Sequence, residues 1–206
     1  MFYSGFPYVD NDIVNRVINL IPLKRYYFDN LGVWHKDKPL PDVYYTSPLP
    51  LVTEDNIEFT LGQHQILFPY RLYAVEIEGS VLSKMNFIER IILHCIYSRS
   101  CNGFVREKHI TALLAEDFPD WVIPYIIKVC DEYVVEILQV VYDNLKGKNT
   151  DKFKNFCAEN KVAFCKSYSR MISYWNEFHR NNCYGYKDYV GRKLFIECFG
   201  ARRNMT

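Results

Sequence analysis

The chain has 206 residues, 49% of them hydrophobic and 17% aromatic, with a formal net charge of +1 at pH 7. That length supports one compact unit with a substantial core, and only nine glycines and nine prolines exclude a disordered or low-complexity sequence. No 18-residue uncharged apolar run and no basic, apolar leader are present, which excludes a membrane span and points to a cytoplasmic protein.

The stretch VDNDIVNRVINLIPLKRYYF places Ile13, Val14, Val17, Ile18, Leu20 and Ile21 behind Asp10 or Asn11, the pattern of a capped amphipathic helix ending near Pro22. From Gly32 to Asp55, four prolines and no sustained period predict an extended segment over the core surface, equally suited to a binding arm. IEFTLGQHQILFP alternates at Ile57, Phe59 and Leu61, turns at Gly62 and alternates again at Ile66 and Phe68. It predicts a β-hairpin, with YRLYAVEI as a candidate third strand.

After Gly79 the period becomes helical, so residues 1–79 read as a helix, extended segment and hairpin packed on a helical domain of residues 80–206. One helix is predicted over 80–98, stopped by SCNG. A second covers 103–115, capped by Asn102 and burying Phe104, Val105, Ile110, Leu113 and Leu114. Helices over 119–130 and 132–146 leave one narrow polar stripe of Lys128, Glu132, Glu136, Gln139 and Asp143, which puts them at the centre. Thr150 caps a shorter helix. Phe164, Tyr168, Met171, Trp175 and Phe178 form an apolar seam in the next, and a last helix carries Val190, Leu194, Phe195 and Cys198 before Gly200.

In CNGFVREKHITALL, residues 101–114, Val105 and Arg106 follow a turn and lead into Ala112 and Leu113 at helical spacing. This resembles the HEAT repeat family, whose second helix commonly opens on a Val-Arg pair. The resemblance covers residues 80–146, where the second helix pair has Val134 and Val135 in place of Val-Arg and His109 stands where the family has a small residue. It implies irregular stacked helical hairpins, so that with the small N-terminal β-hairpin read from residues 57–68 the expected fold is mainly α. It also implies a structural task for Arg106, whose head bonds loop carbonyls or an acid such as Asp120 or Asp131 while its stem packs. Gly103 then serves the backbone geometry of the Asn-Gly turn.

Candidate chemistry yields to packing at most positions. Seven cysteines, an odd number without a CxxC pair, read as reduced, packed thiols. His94 and Cys95 are adjacent and point about 100° apart on a helix, so they cannot pair as base and nucleophile. His35 and His64 lack a second ligand at metal spacing, and no cofactor signature is present, so neither metal nor cofactor is expected. Asp131, Glu132 and Glu136 supply the charges of the solvated stripe. EFHRNNCYGYKDY, residues 177–189, reads as a loop between helices, and is the place an unfamiliar hydrolase would use.

Charge is uneven: residues 1–160 hold 16 Lys/Arg against 21 Asp/Glu, and residues 161–206 hold nine against three. Lys166, Arg170, Arg180, Arg192, Lys193, Arg202 and Arg203 are therefore the candidate partner-binding residues, interleaved with tyrosines. The sequence leans against an enzyme and reads as a non-catalytic protein–protein interaction module, such as a small bacterial inhibitor or immunity-type partner. A nucleic-acid-associated protein using the basic C-terminal helix pair is the alternative.

Overall fold

The computed structural model describes residues 3–21, 27–28, 34–35, 56–74 and 76–202. Helix α1 (Asn11–Leu20) starts where Asp10 accepts the Asp12 N–H at 2.9 Å, and it buries Val14 and Val17. Strands β1 (Tyr27–Phe28) and β2 (Trp34–His35) pair antiparallel. The rest of the extended segment expected over 32–55 lies outside the described residues.

Strands β3 (Asn56–Leu61) and β4 (His64–Pro69) form the expected hairpin, with Phe59 opposite Ile66 and Leu61 opposite His64. Gly62, at φ +58°, takes the left-handed first position of the two-residue turn. Phe59, Ile66 and Phe68 face the core while Asn56, Glu58 and Thr60 face out. Among the described residues of YRLYAVEI no third strand forms. Among the described residues of that stretch there is a single parallel bridge, in which Leu72 donates to the Arg99 carbonyl at 2.7 Å and accepts from the Cys101 N–H at 2.9 Å. The stretch docks on the loop after a helix instead of extending the hairpin.

The single helix expected over 80–98 is two, α2 (Gly79–Leu82) and α3 (Phe87–Tyr97). Asn86 opens α3 with a capping box: it accepts the Glu89 N–H, and Glu89 accepts the Asn86 N–H, both at 3.0 Å. Such a strong start signal interrupts an otherwise continuous apolar period. In α4 (Gly103–Leu114) Phe104 is exposed rather than buried, because Arg106, His109, Ile110, Leu113 and Leu114 take the inner face. Helix α5 (Ile123–Val129) is buried on every side, and α6 (Val135–Leu145) follows. Glu136, Gln139 and Asp143 meet water as expected, whereas Lys128 and Glu132 are buried.

Thr150 stands at the N-cap of helix α7 (Asp151–Glu159) as expected, but its side chain makes no capping bond, and Asn149 accepts the Asp151 N–H at 2.8 Å instead. Helix α8 (Lys161–Tyr174) continues into a π turn over Trp175–His179, and α9 (Val190–Lys193) into a second one over Leu194–Cys198. The wider turn after α8 rotates Phe178 out of the seam: it is 55% exposed, while Phe164, Tyr168 and Met171 are buried.

The chain is mainly helical. Helix α1 packs on α3, α3 on α4, α4 on α6, α6 on α9, α9 on α8, α8 on α7, and α7 on β3. The apolar face of the hairpin sits on α5 and α7: Phe68 stacks on Tyr125 at 4.2 Å between ring centres, and Phe59 meets Phe156 at 5.5 Å. Among the described residues no helix is long and apolar enough to cross a membrane.

Candidate functional site

The loop between α5 and α6 carries two adjacent carboxylates, and both turn inward. Glu132, 2% exposed, accepts from Arg71 at 2.7 Å and from Arg99 at 3.2 Å through Oε1, while its Oε2 lies 2.9 Å from Arg106 Nε. Arg106 Nη1 also donates to the Ser100 and Cys101 carbonyls, at 2.7 and 3.1 Å. The loop carbonyls are those anticipated for Arg106, but the acid is Glu132 rather than Asp120 or Asp131. Burial pushes the Glu132 carboxyl up; the guanidiniums of Arg99, Arg71 and Arg106 outweigh it and hold the group below the usual carboxylate range. Gly103 is not in the left-handed region, and a Cβ there would meet Val134 and Arg106 at 3.6 and 3.7 Å, ordinary contact distances. The turn therefore does not require its glycine.

Asp131 is held as closely. It accepts from Lys128 Nζ at 2.6 and 2.8 Å, from Ser167 Oγ at 2.8 Å, and from Arg170 Nη1 at 3.4 Å. Burial pulls the Lys128 ammonium down to about 8, against the opposing pull of Asp131. Two carboxylates thus gather five cations, which is why neither belongs to a solvated stripe: a buried charge needs partners at hand.

A second buried cluster joins α3 to α4. His94 Nδ1 and His109 Nδ1 are 2.7 Å apart, and His109 Nε2 lies 3.0 Å from Glu76 Oε1. Glu76 accepts, so His109 carries its proton on Nε2 and its Nδ1 accepts from His94 Nδ1–H. Tyr97 stacks on His109 at 4.8 Å. Burial pulls both imidazoles down to about 4. The thiols of Cys95, Cys130, Cys157 and Cys198 are all pushed up by burial, which suppresses the thiolate a nucleophile needs. Among the described residues no group of three His, Cys, Asp or Glu side chains could hold a metal ion.

The ionic cluster opens to solvent on one side. Lys128 and Asp131 form the inner wall of an open cavity of about 970 Å³, completed by Tyr70, by β3 from Asn56 to Thr60, and by α8. Tyr70 lies beneath the cations, its ring centre 5.1 Å from Lys128 Nζ and 5.9 Å from the Arg170 guanidinium. Val162, Lys166, Arg170 and Tyr174 recur every fourth residue and so make one stripe along α8. The π turn brings Phe178 to the end of that stripe. There Tyr133, 50% exposed, lies 6.1 Å from Tyr174 and 5.9 Å from Phe178, ring centre to ring centre. His179 Nε2 lies 2.7 Å from the Tyr133 carbonyl and ties the loop to the π turn.

Of the basic residues singled out in the sequence, Lys166 and Arg170 share this face. Arg180 lies over Tyr184 at 5.7 Å and Arg192 over Tyr186 at 5.6 Å. Arg202 lines a separate cavity with Lys154, Lys161 and Phe199; Lys193 is in α9; Arg203 lies outside the described residues. Sequence reasoning missed Tyr70, Lys128 and Tyr133 as parts of this surface, whereas Tyr174 was among the tyrosines interleaved with the basic residues and shares their fourfold spacing along α8. Glu177, Cys183 and Tyr184 of the 177–189 loop do not assemble a nucleophile with a base; instead the Trp175 indole donates to the Cys183 carbonyl at 3.0 Å and closes the loop. Compared with known proteins, the chain matches no family model, no curated protein and no solved structure.

Proposed function

We propose that this chain is a non-catalytic protein-binding module, of the small inhibitor or immunity type, that engages its partner through the basic and aromatic stripe of α8. One observation carries the reading: Lys166 and Arg170 run directly into Tyr133 and Phe178, both about half exposed, and the partly buried Tyr174 between them. Tyrosine, phenylalanine and arginine clustered at a surface are the residue types from which interface cores are made. The HEAT-like reading of residues 80–146 agrees with it, since stacked helices suit extended binding faces. The partner is an acidic protein, and the module acts in the cytoplasm.

The test is co-purification from native lysate with the Tyr174→Ala/Phe178→Ala and Lys166→Glu/Arg170→Glu variants. Both pairs lose one stoichiometric protein that the parent chain retains, with unchanged circular dichroism. Retention by the variants sinks the reading. A nucleic-acid role has its own support in Tyr184, 80% exposed with Arg180 over its ring. Salt-labile capture of a single-stranded oligonucleotide, lost on Tyr184→Ala, would favour that role instead.

A further inference from the structure

The hairpin offers one side to the cavity. In an antiparallel pair, backbone groups point alternately toward the partner strand and away from it. Thr60 fixes which residues of β3 point away: its N–H donates to Asn160 Oδ1 at 2.7 Å, and its carbonyl accepts from Asn160 Nδ2 at 2.8 Å. Asn160 therefore occupies the place of a neighbouring strand at that one position. By the period of two, the N–H and carbonyl groups of Glu58 and Asn56 point the same way, along the cavity wall. Among the described residues nothing hydrogen-bonds them. A short strand with open backbone groups is a template for another chain.

The charge across this edge is net positive, because Asp131 is the one acid on that wall and Lys128 and Arg170 share it. Lys128, Lys161, Lys166 and Arg170 line the cavity opposite β3, and behind Lys128 stand the three arginines on Glu132. Neither Lys161 nor Lys166 has an ion-pair partner among the described residues. The acids on the near wall are turned to the hairpin itself: Glu159 accepts the Gly62 N–H at 2.9 Å, and Glu58 accepts from Gln65.

We propose that an extended acidic segment of the partner protein adds to the outer edge of β3 as a third strand, its backbone on Asn56 and Glu58 and its carboxylates on Lys166 and Arg170. This rests on the reading of the α8 face as protein-binding and names what that face takes. Asn160 ends the added strand by filling the next pairing position. Main-chain bonds supply affinity and the cations select the side chains, the division of labour seen when peptides augment a sheet. Lys128 and Tyr70 form the floor beneath.

The probe is the peptide acetyl-Val-Asp-Val-Glu-Val-Asp-amide, titrated into the full chain and followed by fluorescence anisotropy and amide NMR. Saturable binding shifts the Asn56 and Glu58 amide resonances. Methylating alternate peptide nitrogens abolishes the binding, and Lys166→Glu/Arg170→Glu weakens it at least about tenfold. The amide analogue Val-Asn-Val-Gln-Val-Asn does not bind. Binding that shifts α8 resonances, tolerates N-methylation and leaves β3 unmoved overturns strand addition while keeping the protein-binding face. No binding by either peptide overturns strand addition; if the co-purifying partner is still lost on Lys166→Glu/Arg170→Glu, the face itself stands. Displacement by a single-stranded oligonucleotide, with β3 silent, transfers the face to nucleic acid.

Discussion

Replacing Glu132 by Gln removes one negative charge and leaves Arg71, Arg99 and Arg106 facing a neutral amide in the interior. Breaking a buried ionic cluster from its single-acid side costs about 3–5 kcal/mol, because the cations left behind have lost their water as well as their counter-charge. Urea denaturation at neutral pH measures it; a loss within about 0.5 kcal/mol would mean that the arginines find other acceptors. Gly103→Ala works in the opposite direction. The site has ordinary contact space at the first turn of α4, so alanine raises stability by about 0.5 kcal/mol through a stiffer unfolded chain. The structural task of Arg106 was legible because an arginine at a helix start, next to a loop, has carbonyls within reach. Its acid was not. Placing Lys128 and Glu132 on a wet stripe assumed one helical period through residues 128–136, but α5 ends at Val129 and the chain turns both carboxylates inward before α6 begins.

The histidine pair is the joint between α3 and α4, and it makes that joint sensitive to acid. Both imidazoles fall to about 4 in the folded chain, below their ordinary 6.5, so the unfolded chain takes up protons first as pH drops. The contribution is complete above about pH 6.5 and lost as pH falls toward about 4, with a slope near 1.4 kcal/mol per pH unit for each histidine. Glu76, Lys108 and Arg90 surround the pair, and the lysine and arginine add to the cost of a second positive charge. Urea midpoints between pH 7 and pH 4 should fall less steeply for His94→Phe than for the parent chain, and equal slopes would refute the assignment. At this scale the local signals that survived were those held in one or two residues. Asp10, Asn102 and Gly62 each mark a boundary that the structure keeps. The capping box at Asn86 was equally visible in the sequence, yet an unbroken run of apolar positions concealed it. The π turn after Tyr174 has no period of its own, so Phe178 was counted into a seam that it leaves.

The hairpin and the helices share their largest side chains, which decides how the molecule unfolds. Phe68 stacks on Tyr125 of the fully buried α5, Phe6 stacks on the same tyrosine from the N-terminal side, and Phe59 reaches Phe156 of α7. Truncating Phe68 to Ala therefore opens the contact between β4 and α5, at a cost of about 3–5 kcal/mol for a buried phenylalanine. A boundary at residue 79, drawn from the change of hydrophobic period, marks where the strands give way to helices but does not divide the core: periodicity records which face of an element is buried and is blind to what covers it. If the core is shared, the hairpin has no stability of its own. Native-state hydrogen exchange distinguishes the cases. Amides of Phe59 and Ile66, paired across the hairpin, should exchange with the same opening free energy as the α5 amides of Ile126 and Ile127, and Phe68→Ala should lower all four together. Hairpin amides that exchange with a lower opening free energy while α5 keeps full protection would show that residues 56–69 detach alone, and β3 would then lack the rigid backing that an added strand requires.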